Sequence, residues 1–93
     1  MMKYAISYDL NQEDKNYAKL IEAIKNASNG IYCNPCKSTW FIQSNHESAE
    51  KLYQALRKSI DENDFIVIAQ VTNDVSGFTE KQAATILHNH FRG

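Results

Sequence analysis

The sequence predicts a single α+β domain, a four-stranded sheet with helices against one face and a further helix at the C-terminus. Period-2 alternation and short apolar runs mark strands, i, i+3, i+4 spacing marks helices, and the two alternate in the order βαββαβα. At 93 residues and 43% hydrophobic composition the chain can build one core and not two, so residues 1–93 form one domain. Neither an internal repeat nor a linker or low-complexity stretch interrupts that order.

From Lys3 to Asp9, Tyr4, Ile6 and Tyr8 alternate with Ala5, Ser7 and Asp9, giving a first strand that ends in an acid. A polar stretch follows from Leu10 to Lys15, after which Tyr17, Leu20, Ile21 and Ile24 recur as one face of an amphipathic helix. That helix is expected to stop near Ala27, because Ser28-Asn29-Gly30 offers a C-terminal signal. Two strand candidates, Ile31 to Cys33 and Ser38 to Ser44, flank Asn34-Pro35 and read as a hairpin. Within the second arm, Thr39-Trp40-Phe41-Ile42 is aromatic and β-branched, which places it deep in the sheet. Ser44 with Glu47 fits a capping box for a second helix marked by Ala49, Leu52, Tyr53, Leu56 and Ile60. Asp61-Glu62-Asn63-Asp64 breaks that helix, and Phe65 to Val71 is apolar on both faces, as in a strand covered on two sides. Past a loop from Asn73 to Gly77, Thr79 and Gln82 form a second capping box ahead of Ala83, Ile86, Leu87 and Phe91.

A βαββαβ order is that of a ferredoxin-like sheet, whose helices cover one face only. The last strand nevertheless presents Phe65, Val67 and Ala69 one way and Ile66 and Ile68 the other. Its second face therefore needs a cover, supplied by the C-terminal helix or by a second copy of the chain. A symmetric homodimer is the commonest way to bury such a face, and it is the expectation here.

Charge and composition remove several classes of function. Ten Lys and Arg against 11 Asp and Glu leave a net charge of -1, so no global positive field gathers nucleic acid, and any such contact rests on a local patch. Phe65-Ile66-Val67-Ile68-Ala69 is far shorter than the roughly 20 residues of a membrane-spanning helix, which predicts no membrane association. Met1-Met2-Lys3-Tyr4 runs straight into the first strand without the apolar segment of a secretory signal, which predicts a cytoplasmic protein with reduced cysteines. With 3 Gly in all, the chain carries no phosphate-binding glycine loop, no dinucleotide fingerprint and no nucleophile–base triad.

Asp9 is the first residue that could carry chemistry. A carboxylate at the C-terminal end of a strand binds a hard cation such as Mg²⁺ through oxygen. One carboxylate makes a poor site, but a nearby two-fold axis would bring a second Asp9 to it, and a shared metal could activate water or stabilise charge on a phosphate. The plainer role for Asp9 is to cap the turn that follows, accepting bonds from the amides of Asn11 or Gln12.

Cys33 and Cys36 have C-x₂-C spacing, half of a tetrahedral zinc site. His46, His88 and His90 do not supply the other half, since i and i+2 on a helix point about 200° apart. Lying in a hairpin and away from a helix N-terminus, the pair reads first as two reduced thiols beside a turn. Tyr4, Tyr8, Trp40 and Phe41 could stack on unpaired bases, but without interleaved basic residues they read as core or dimer packing. His88 to Arg92 and the group Lys51, Arg57 and Lys58 could touch phosphates, although charges so spaced usually form a solvated helix face.

Ile6-Ser7-Tyr8-Asp9-Leu10, the helix from Tyr17, Ser38-Thr39-Trp40 and the strand from Asp64 to Val71 together resemble short bacterial proteins grouped as the "SinR family", over nearly the full chain. In fold and motif they are also similar, more distantly, to the small ferredoxin-like subunit of the CRISPR spacer-acquisition complex and to virulence-associated protein D, a ribonuclease-type toxin. This resemblance implies a homodimer with an acid at the end of the first strand near the two-fold axis, here Asp9. Ser38 falls where the CRISPR subunit has a Ser followed by an aromatic. The expected site is a catalytic, Mg²⁺-holding Asp9 with Tyr8, Asn11 and Ser38 as substrate-binding residues.

Two functions fit these residues best, ahead of a metal sensor built on Cys33 and Cys36. One is an Mg²⁺-dependent endoribonuclease, or RNA- or DNA-associated protein, using paired Asp9 carboxylates. The other is a non-catalytic dimeric scaffold that engages a protein partner, favoured by the acidic Asn11-Gln12-Glu13-Asp14 stretch, which would repel phosphate.

Overall fold

The computed structural model describes residues 2–10 and 17–92. Its elements are β1 (Met2–Asp9), α1 (Tyr17–Ala27), β2 (Ser28–Cys36), β3 (Thr39–Ser44), α2 (Ala49–Leu56) with a 3₁₀ turn over Arg57–Ser59, β4 (Phe65–Gln70) and α3 (Lys81–His90). All pairings are antiparallel and the strand order is β2-β3-β1-β4. This is the expected ferredoxin-like arrangement, with α1 and α2 on one sheet face.

Register assigns every strand residue to a face. Tyr4 stands opposite Ile42 on β3 and Gln70 on β4, and Ile6 stands opposite Trp40 and Ile68. The even-numbered residues of β1 therefore share a face with Trp40, Ile42, Ile66 and Ile68, where Leu20, Ile24, Leu52 and Leu56 of the two helices close the core. Tyr4, Ile6, Leu20, Ile24, Ile42 and Leu52 lose all contact with solvent. The odd-numbered residues of β1, with Phe41, Phe65, Val67 and Ala69, make up the second face.

Several boundaries differ from the sequence reading. Ser28-Asn29-Gly30 follows α1 as expected but opens β2 and not a loop, because Ser28 Oγ accepts from the Gly30 amide and Asn29 Oδ1 from that of Ile31, while Gly30 takes φ 104°. Neither expected capping box forms. Ser44 is buried in β3 and its hydroxyl bonds the Ala27 carbonyl at 2.7 Å, so the cap of α2 passes to Ser48, whose oxygen accepts from the Lys51 amide at 3.1 Å. Likewise Thr79 donates to the Pro35 carbonyl, and Glu80 caps α3 by accepting from the amides of Gln82 and Ala83. Ile60 lies beyond α2, after the 3₁₀ turn.

Candidate functional site

The second face is split between covered and open halves. α3 runs back over β2, tied by the Thr79–Pro35 bond at its start and by Gln43 Nε2 donating to the His90 carbonyl at 3.3 Å near its end. Phe91 is fully buried against Phe41, with ring centroids 5.6 Å apart at 74°, and Ala83 and Cys33 are buried in the same layer. On the other half, Ser7 and Asp9 of β1 and Phe65, Val67 and Ala69 of β4 remain exposed, Phe65 at 68% and Val67 at 69%. The expectation that β4 is covered on both sides holds within one chain for Ile66 and Ile68 only. On the second face the C-terminal helix reaches β2 and β3 and leaves the β1–β4 half bare.

Asp9 ends β1 directly across from Phe65, so its carboxylate belongs to this bare half. Tyr8 points the opposite way. Its hydroxyl accepts from Trp40 Nε1 at 3.2 Å, its ring stands edge-on to Tyr17, and burial, partly offset by the Trp40 bond, raises its pKa. The backbones of Tyr8 and Ser38 meet, with the Tyr8 amide donating to the Ser38 carbonyl at 3.0 Å, and the half-buried Ser38 lies in the β2–β3 turn. Adjacent residues on a strand face opposite ways, so the aromatic ring of Tyr8 and the carboxylate of Asp9 do not converge on one ligand. Asn11 lies outside the described residues.

For Mg²⁺, the donor set within one chain is thin. Among the described residues no three His, Cys, Asp or Glu side chains gather closely enough to hold an ion, so Asp9 contributes a single carboxylate. The two cysteines are free. Cys36 is exposed, whereas burial, helped by the nearby Glu80 and opposed by a backbone bond from Phe41, pushes the Cys33 thiol up to about 11. His46 joins the buried Ser44, which bonds both its Nδ1 at 3.0 Å and its amide at 3.1 Å, and its own carbonyl accepts from the Tyr4 hydroxyl at 2.7 Å. That network lies where β3 turns toward α2 and links the core tyrosine to the turn. His88 and Arg92, from the basic C-terminal stretch, line an open polar depression with Asn73, Asp74 and Ser76.

Sequence reasoning passed over two features. One is that α3 packs against β2 and so leaves Phe65 and Val67, expected on a strand covered on two sides, exposed. The other is the clean outer edge of β4, which only the strand order reveals.

No protein-family model matches the sequence, and no curated protein is detectably similar to it. A solved structure that it resembles is that of a hypothetical protein, TT1823, from Thermus thermophilus, at 22% identity and a TM-score of 0.62, covering 86% of this chain and 95% of that one. At this identity the likeness establishes the ferredoxin-like fold, and none of the described helices is long and apolar enough to cross a membrane.

Proposed function

We propose that the chain acts as a homodimeric protein-interaction subunit whose working surface is the bare half of the second face. The observation that carries this reading is the pair Phe65 and Val67, exposed side by side on one strand while α3 shields the rest of that face. Burying such a side chain in an interface is worth on the order of 1.5–3 kcal/mol, which gives a small domain a strong reason to associate. The position of Asp9 beside Phe65 supplies a charged rim to this apolar centre, the usual anatomy of a protein interface. Replacing Val67 with Lys adds a charge to the centre of the surface without touching the core, so it should abolish association and preserve the fold. If Val67→Lys associates as the native chain does, the assignment is wrong.

A second reading keeps the solvent-facing Asp9 carboxylate as a hard-cation ligand acting on an RNA phosphodiester. Its support is the exposure of Asp9 at a strand end, on the face where a substrate has access. Single-stranded RNA incubated with and without Mg²⁺, alongside Asp9→Ala, tests it. Cleavage that needs both Mg²⁺ and Asp9 supports this reading, and cleavage indifferent to Asp9 removes it.

A further inference from the structure

The two edges of the sheet are built differently. At the β2 edge, pairing with β3 slips twice, between Ser28 and Tyr32 and between Cys33 and Cys36; Gly30 takes φ 104°, Pro35 lacks an amide proton, and α3 packs alongside. These are the features by which proteins blunt a sheet edge against unwanted pairing. The β4 edge has none of them. Phe65-Ile66-Val67-Ile68-Ala69-Gln70 contains no charge, proline or glycine, and it pairs with β1 in unbroken register from Asp9–Phe65 to Tyr4–Gln70.

Register also shows which backbone groups this edge offers. The Val71 amide bonds the Lys3 carbonyl at 2.9 Å, so the hydrogen-bonded pairs of the β1–β4 ladder are the odd-numbered ones, Ala5–Ala69, Ser7–Val67 and Asp9–Phe65. The amides and carbonyls of Ile66 and Ile68 consequently point outward, away from β1. A groove lined by Ala49, Glu50, Tyr53, Ile66, Val67 and Ile68 lies between α2 and this edge.

We infer that β4 pairs antiparallel with β4 of a second copy, with Val67 on the two-fold axis, to make a continuous eight-stranded sheet. This rests on the homodimer reading above and specifies how the copies join. In that register Ile66 and Ile68 exchange backbone bonds with Ile68 and Ile66 of the other copy, while the large Phe65 stands opposite the small Ala69. Asp64 meets Gln70 and no acid meets an acid, so the edge is complementary to itself in charge as well as in hydrogen bonding. On the second face Phe65 then packs across Ala69 of the other copy and Val67 against its own counterpart, which buries part of both side chains and leaves the rest of the joined strip open. The two Asp9 carboxylates do not share an ion, because two β4 strands intervene and set the β1 strands about 14 Å apart.

Residue-resolved amide exchange on the native full-length protein, across a concentration series followed by sedimentation, tests this. The Ile66 and Ile68 amides should exchange fast in dilute monomer and become protected as dimer forms, whereas Val67 and Ala69 are protected throughout. Ile68→Pro removes two interface bonds per dimer but none within the sheet, and should weaken dimerisation roughly 10- to 100-fold. Dimer formation with Ile66 and Ile68 still exchanging fast overturns edge pairing and leaves the homodimer reading standing. A chain that stays monomeric at the highest concentration overturns both.

Discussion

The ring of Phe91 meets that of Phe41 edge-on, with centroids 5.6 Å apart, and this contact marks where α3 stops covering the second face. Phe91 loses all contact with solvent although it is the residue that follows α3. It is therefore the anchor that holds the helix on the sheet.

Replacing Phe91 with Ala should destabilise the fold by about 3–5 kcal/mol, the usual cost of emptying a buried aromatic site. Because α3 is held here, exposure of β2 should follow. Chemical denaturation reads the first effect, and faster labelling of Cys33 reads the second.

Tyr8 and Trp40 make a second, independent point. The buried Trp40 Nε1 donates to the Tyr8 hydroxyl at 3.2 Å, so Tyr8→Phe strands that donor and should cost about 1–3 kcal/mol. A variant as stable as the native chain would show that the bond contributes nothing to folding.

The two thiols should separate cleanly by reactivity. With the native chain near neutral pH, an alkylating reagent should modify the exposed Cys36 quickly and the buried Cys33 only on unfolding. Cys33 is raised in the fold from the ordinary 9.0 to about 11, and its neutral form is the one that burial favours. Its contribution to stability is thus complete below pH 9.0 and is lost as pH rises toward 11. Stability of Cys33→Ala should accordingly fall less steeply than that of the native chain over that window.

Most of the architecture was legible in the sequence because each element carries its own period. The alternation of Tyr4, Ile6 and Tyr8, and the spacing of Leu20 and Ile24, report faces directly, and both sets lie in the core. Helix caps were less legible. Ser44 and Ser48 are both plausible caps by spacing, and tertiary demand decided between them when Ser44 was drawn into β3 to bond Ala27. Asp9 could be placed at a strand end from its neighbours alone. That its face would be bare depends on how far α3 reaches across the sheet, a long-range property that no local pattern encodes.

The proposed homodimer depends on Phe65, Val67 and the edge they belong to meeting a second copy. Sedimentation equilibrium of the native chain and of Val67→Lys tests it most directly. The native chain should sediment at twice 10.6 kDa, and the variant at the monomer mass while keeping its folded spectrum. A native chain that sediments at 10.6 kDa at every concentration would contradict it.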